Sequence, residues 1–456
     1  MKNLFGKIIG LTRLINIQDK PDDSYYIHKF FAGKPTLMNP FGGVATEWYL
    51  HPNVKKMSDD ILEIARVKCQ GFLGIDEISF YKIIERILKE NALNTELFDI
   101  DRIAFRRVQT LFDARLNSVD AKIFAERIWK IIEAETLASN MDWLLLYPLQ
   151  KLELENSKSL SIDGITLLSP NDECTWSSFY EKYSNTRGWD IKSGKYRGRP
   201  NDISLIGNTN FTWIIVEENG TEIGVRRSAS SRIRTFLSVL FSMLENHHQL
   251  FIHSSGEGVG YAFQFPSDCN SVGYGSSCLH IGVMYPAFSD PIIVSEQIFN
   301  KVYNWYSLCK TFGEESLQKC VVASHYINYG INADEDLDRF IHLFIALDAL
   351  FGKRGEVERG IKFGLKETFD GDSNWIKRAS KLFDLRNELL HGGSSSISDW
   401  NELETYEKTF QTNPLDDVLE ASLRAFANFF TLPVYERQKL CWSQRFIKWI
   451  KDFPIR

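Results

Sequence analysis

The sequence predicts an α+β fold: N-terminal helical and β-hairpin-containing regions, followed by an all-α bundle. Three patterns carry this. Residues 54 to 140 alternate charge with apolar positions at helical spacing, as in Asp76 to Leu88 and Ala121 to Ile132. From about residue 150 the runs shorten around two turn dipeptides, Asp163-Gly164 and Asn219-Gly220, which tolerate the positive φ of tight hairpins. After Pro291 helical spacing returns, with breaks near Gly330, Gly355, Gly371, Gly392-Gly393 and Pro433.

With 456 residues the chain exceeds what one core usually organises, and these shifts divide it at 1–150, 151–292 and 293–456. The first region is read as mainly helical, with Asp76 or Ser118 placed to cap its helices. In the middle region, Ser159 to Leu168 forms one hairpin. Phe211 to Arg226 forms another, with Trp213-Ile214-Ile215-Val216 and Ile223-Gly224-Val225 as its strands. A helix from about Ser228 to Asn246 follows, then strand-like segments at Gly258 to Phe265 and Leu279 to Tyr285.

Composition narrows the classes. Apolar residues make up 44%, charged residues 25% and aromatics 13%, a globular balance that excludes dominant disorder, collagen and coiled coil. The net charge of −6 is spread evenly: residues 294 to 456 hold 21 basic and 24 acidic side chains of totals of 53 and 59. No region is basic in bulk, so contact with phosphate has to come from local patches. One such patch holds Arg187, Lys192, Lys195, Arg197 and Arg199 among Trp189 and Tyr196, with only Asp190 opposing. Others are Arg226, Arg227, Arg232 and Arg234, and the tail from Arg437 to Arg456, where Trp442, Phe446, Trp449 and Phe453 mark an amphipathic helix. The 7 cysteines are odd in number and lack a C-x-x-C, which fits reduced thiols in the cytoplasm. Lys7, Gly10 and Arg13 interrupt any signal-peptide core, and the apolar run Phe236 to Leu244 is far short of the roughly 20 residues of a membrane span, so no membrane partner is expected.

Common catalytic signatures are missing. The chain has no G-x-x-x-x-G-K-[ST], no G-x-S-x-G and no H-E-x-x-H. His247, His248 and His253 form the densest histidine cluster, without acidic or thiol ligands at helical spacing nearby, so neither a metal nor a cofactor is expected.

The informative segment is Asn374 to Gly393, NWIKRASKLFDLRNELLHGG. On a helical wheel with Arg386 at zero, Trp375 falls at about −20°, Ala379 at about 20°, Leu382 at about −40° and Leu390 at about 40°. Arg386 thus lies at the centre of the apolar stripe, Asn387 and His391 share its edge, and Gly392-Gly393 ends the helix just after His391. A helix over about Asp334 to Phe351 shows the complementary anomaly: Asp348 lies among Leu337, Ile341, Phe344, Ile345 and Phe351. Unpaired charges in apolar faces are costly, so Asp348 and Arg386 are read as partners across two packed helices. A purely structural ion pair beside a helix-capping histidine accounts for the same residues.

An Arg, an adjacent amide and a His after four intervening residues, at a glycine-terminated helix end, resemble the motif of the HEPN superfamily. More narrowly, FIALDALF (Phe344 to Phe351) followed by FDLRNELLHGG (Phe383 to Gly393) is similar to the Apea-like branch found in bacterial anti-phage defence proteins. The resemblance covers roughly residues 294 to 430. It implies a HEPN-like helical bundle in which Arg386 and His391 are the catalytic pair, Asn387 the polar residue that commonly follows the Arg, and Asp348 the upstream acid, usually Glu in relatives. It also implies a metal-independent endoribonuclease acting by 2′-hydroxyl attack, a homodimer or higher oligomer that shares its site, and a toxin-like effector role in which the upstream residues answer an infection-derived activator. RNA is then the substrate, with Arg187, Lys195, Arg197, Arg199, Arg226 and Arg227 as candidate contacts. The competing class is a non-catalytic HEPN-like binding or scaffold protein.

Overall fold

The computed structural model describes residues 2–17, 26–32, 44–88, 97–99, 102–103, 108–156, 158–172, 174–175, 177–178, 189–190, 195–196, 212–251, 261–267, 277–280, 285–286, 288–352 and 355–432. The fold is mixed α+β with a largely helical C-terminal region. The chain forms two compact units rather than three regions: Met1–Trp143 with Glu218–Ser228 and Pro266–Asn270, and Leu144–Glu217 with Ala229–Phe265 and Ser271–Arg456.

The first unit holds helix α1 (Lys2–Arg13), strands β1 (Ile15–Ile17), β2 (Tyr26–Ala32) and β3 (Val44–Leu50), and helices α2 (Asn53–Lys68), α3 (Glu77–Arg86) and α4 (Ala121–Ala138). The strands make an antiparallel sheet of order β1-β3-β2, an addition to the mainly helical reading. Asp76 caps α3 as expected, accepting from the N–H groups of Ile78 and Ser79 at 3.0 and 2.9 Å. The cap of α4 is Asp120, not Ser118. Leu4, Ile8, Ile61, Phe72, Phe80, Phe124 and Trp129 meet in this unit's core.

In the second unit a six-stranded sheet runs in the order β12-β11-β4-β10-β7-β6. Its strands are β4 (Met141–Leu149), β6 (Leu160–Ile162), β7 (Ile165–Leu168), β10 (Thr212–Gly220), β11 (Tyr261–Pro266) and β12 (Ser277–His280), and between them fall β5 (Leu152–Leu154), β8 (Trp189–Asp190) and β9 (Lys195–Tyr196). The β6–β7 hairpin turns through Asp163 and Gly164 at φ 50° and 72°, the left-handed pair the dipeptide permits. A final strand, β13 (Ile292–Val294), pairs in parallel with β5.

The second expected hairpin does not form. Gly220 ends β10, and Ile223-Gly224-Val225 lies in helix α5 (Glu222–Ser242). Thr221 explains the difference: its hydroxyl accepts the N–H of Gly224 at 3.3 Å and donates to Asp76 at 2.7 Å, while Glu222 places negative charge in the first turn. A Cβ on Gly220 would collide with the Gly74 carbonyl, so the glycine serves close backbone approach rather than a hairpin.

Among the described residues seven helices complete the second unit: α6 (Glu296–Cys309), α7 (Glu314–Asn332), α8 (Asp336–Phe351), α9 (Val357–Thr368), α10 (Ser373–His391), α11 (Leu403–Phe410) and α12 (Pro414–Asn428). One core joins Leu145, Ile165, Val216, Phe236, Ile292, Trp305, Phe344, Leu382 and Phe426, so the boundary expected at residue 292 does not divide it. Gly330 does not break a helix either; it lies inside α7, where a Cβ would meet the Leu343 side chain of α8. The expected break at Pro433 and the basic tail lie outside the described residues. Among the described residues no helix is long and apolar enough to cross a membrane, and Cys69, Cys174, Cys309 and Cys320 are free.

Candidate active site

Helices α8 and α10 carry the four residues of the motif. Asp372 starts α10, its carboxylate accepting the Asn374 N–H at 2.8 Å. Trp375, Ala379, Leu382 and Leu385 then bury one face. Burial stops there: Arg386 and Asn387 are half-buried, Leu390 is 50% exposed and His391 is exposed. Arg386 is therefore not enclosed at the centre of an apolar stripe. Its angle on the helix points inward, but the core ends one residue before it. Gly392 closes the helix in the left-handed conformation at φ 75°, and the N–H of Gly393 bonds to the Glu388 carbonyl at 2.8 Å. His391 is thereby held in the last turn, near the negative end of the helix dipole.

Asp348 is half-buried on α8, and its Oδ1 is shielded from water without a hydrogen-bond partner. Burial pushes its carboxyl above the ordinary value, and the positive charge of Arg386 pulls it part of the way back. The two side chains interact through charge, yet no ion pair joins them; Arg386 Nη1 instead donates to Asn387 Oδ1 at 3.0 Å. The Arg386 guanidinium lies 5.7 Å from the centre of the Phe383 ring, which meets Phe344 of α8 edge-on. An aspartate, one methylene shorter than glutamate, stops short of this arginine. Gly352 leaves room for the carboxylate, because a Cβ there would run into Asp348 Oδ1. Sequence patterns gave no signal for Gly352. They also missed Glu388, whose carboxylate accepts from Ser394 at 3.1 Å and anchors the loop after the helix.

The proposed RNA contacts fare differently. Arg226 pairs with Glu222 at 3.1 Å and Arg227 with Glu77 at 2.9 Å, so both charges are compensated within the first unit. Lys195 falls in β9, whose register places it opposite Asp190. Arg187, Arg197 and Arg199 lie outside the described residues. In the histidine cluster, His247 Nδ1 lies 2.6 Å from Glu420 and His248 Nδ1 lies 3.1 Å from Asp416; His253 lies outside the described residues.

The arrangement offers an exposed imidazole that can exchange protons and a guanidinium free of a carboxylate partner, with an amide beside it and a carboxylate behind it. Together these can bind an oxyanion and move a proton. No family model, curated protein or solved structure matches the chain.

Proposed function

We propose that the chain is a metal-independent endoribonuclease of the HEPN type, with Arg386 and His391 as its catalytic residues. One observation carries the reading: at the glycine-capped end of α10, Arg386 lacks a carboxylate partner and His391 faces water, whereas the preceding turns of the same helix bury one face. In the proposed reaction the RNA 2′-hydroxyl gives up its proton to one imidazole and attacks the adjacent phosphorus, and a second imidazole protonates the departing 5′-oxygen. A bond from phosphorus to the 2′-oxygen forms as the bond to the 5′-oxygen breaks, leaving a 2′,3′-cyclic phosphate. Arg386 stabilises the charge that gathers on the phosphoryl oxygens. Asn387 orients that guanidinium, and Asp348 biases it electrostatically from behind.

Each chain supplies one histidine to this motif, so a second copy of the chain provides the other. Leu390, half exposed beside His391, gives that copy an apolar contact at the helix end. The defence role, the toxin-like effect and the infection-derived activator belong to this same proposal.

The test is incubation of the purified chain with total cellular RNA, with and without EDTA. Cleavage that survives the chelator, ends in cyclic or 3′-phosphates, and vanishes in Arg386→Ala and His391→Ala supports the reading. Wild-type cleavage by both variants overturns the residue assignment, and 3′-hydroxyl ends with strict magnesium dependence place the chemistry elsewhere.

A further inference from the structure

A second arginine lacks an acid, and it lies well away from the helix end just described in the order of the chain. Arg234 of α5 is half-buried in the second unit, and its Nε is shielded from water with no hydrogen-bond partner. Its Nη1 meets His325 Nδ1 of α7 at 3.2 Å. A guanidinium only donates, so His325 accepts there and carries its proton on Nε2. Burial first, then the positive charge of Arg234, push the His325 pKa down to about 4. No carboxylate lies within ion-pairing distance of Arg234 among the described residues, in contrast to Arg226, Arg227, Arg339 and Arg378.

What surrounds Arg234 instead is aromatic. Its guanidinium lies 5.7 Å from the centre of the Tyr329 ring. His325 meets that ring edge-on at 4.5 Å, and His342 of α8 lies nearly parallel to it at 5.5 Å. His342 Nδ1 donates to the Asp338 carbonyl at 2.8 Å, which leaves its Nε2 as an acceptor. Tyr329 is 38% exposed, and with His342 it walls a cavity of about 480 Å³ whose other sides include Asn332, Asp334, Glu335 and Asp338.

A partly buried guanidinium with no carboxylate partner lacks what an oxyanion supplies: negative charge, and acceptors spaced to match its fork. The neighbouring cavity has the opposite character. Its carboxylates repel a phosphate and accept from ring amino and imino groups, while its aromatic walls suit a planar ring. We propose that Arg234 and His325 bind the phosphate of a nucleotide whose base occupies the cavity against Tyr329 and His342. The nucleotide is either a free mononucleotide or one residue of an RNA strand. Both present the same chemistry to the site.

The test is calorimetric titration of the full chain with guanosine and adenosine monophosphates, inorganic phosphate, and a 2′-O-methyl oligoribonucleotide. The last cannot undergo 2′-hydroxyl attack, so its binding is read independently of any ribonuclease activity. Arg234→Gln should weaken the binding by about tenfold or more, as expected for loss of a charge-assisted contact. Lys408→Gln, which removes one exposed positive charge elsewhere, should leave it unchanged. Tyr329→Leu, a change at a partly exposed ring, should also weaken binding and reports on the site if Arg234→Gln fails to fold. Binding of monophosphates identifies a free nucleotide, and binding of the oligomer alone identifies a strand. Absence of binding by every probe, or equal affinity in Arg234→Gln and Tyr329→Leu, overturns the proposal.

Discussion

Two arginines on one helix meet opposite fates. Arg378, near the start of α10, is bound to Asp417 of α12 at 2.6 Å and to the Phe410 carbonyl at 3.2 Å, with the rings of Trp375 and Phe410 about it. Tyr406 donates a further hydrogen bond to Asp417 at 2.6 Å. Arg386, at the other end, has only the amide beside it and a carboxylate that it influences without touching. A charge held for stability is matched by a counter-charge, and one held for a ligand is left without it. By that criterion Arg378 is structural and Arg386 is available.

The largest expected effect falls on the paired end. Arg378→Met leaves Asp417 buried without its counter-charge, and should cost about 3–5 kcal/mol in the second unit's denaturant transition. Arg386→Met should cost below about 1 kcal/mol, because no ion pair is lost. Equal losses would erase the distinction between the two ends.

A smaller effect concerns Asp348. Its carboxyl is raised by burial, so the folded state holds its proton more tightly than the unfolded state does. Stability from this group is fully present below the unfolded pKa of about 3.9 and is lost as pH rises through the folded value. Asp348→Asn should therefore gain roughly 1 kcal/mol over the wild type near neutral pH, with the gain shrinking toward pH 4. Thermal melts across that range measure it; a variant less stable at neutral pH would mean that the ionised carboxylate has a partner after all.

Comparable in size is the helix stop. Gly392→Ala forces a side chain into the left-handed region and should cost about 1 kcal/mol, where Gly393→Ala should cost less. If Gly392 also places His391 for catalysis, Gly392→Ala will lower RNA cleavage beyond what the stability change explains.

Much of this was legible beforehand. The helices carrying Asp348 and Arg386, the cap at Asp76 and the Asp163-Gly164 hairpin all follow from local spacing, and local spacing survives in the fold. The pairing of Arg378 with Asp417 was not legible, because a wheel shows which face a charge occupies and not which of several acids lies across from it. Arg386 was misplaced for a related reason: angle is periodic in sequence, but the depth at which a core ends is set by neighbouring helices. Asn219-Gly220 misled because a distant glycine, Gly74, needed close approach there, and Thr221 supplied a helix cap in place of a second strand. The Arg234 cluster draws on three helices, and no stretch of sequence contains it.

The glycine at 352 also constrains how this site can change over generations. A side chain there would strike both Asp348 Oδ1 and the backbone carbonyl of Asp348, and that carbonyl remains whatever residue stands at 348. Gly352→Ala should therefore be rejected even after Asp348→Ala, so the room the carboxylate occupies cannot be filled from this side. A lineage that loses the acid keeps its place open, and a single reversion at 348 restores it.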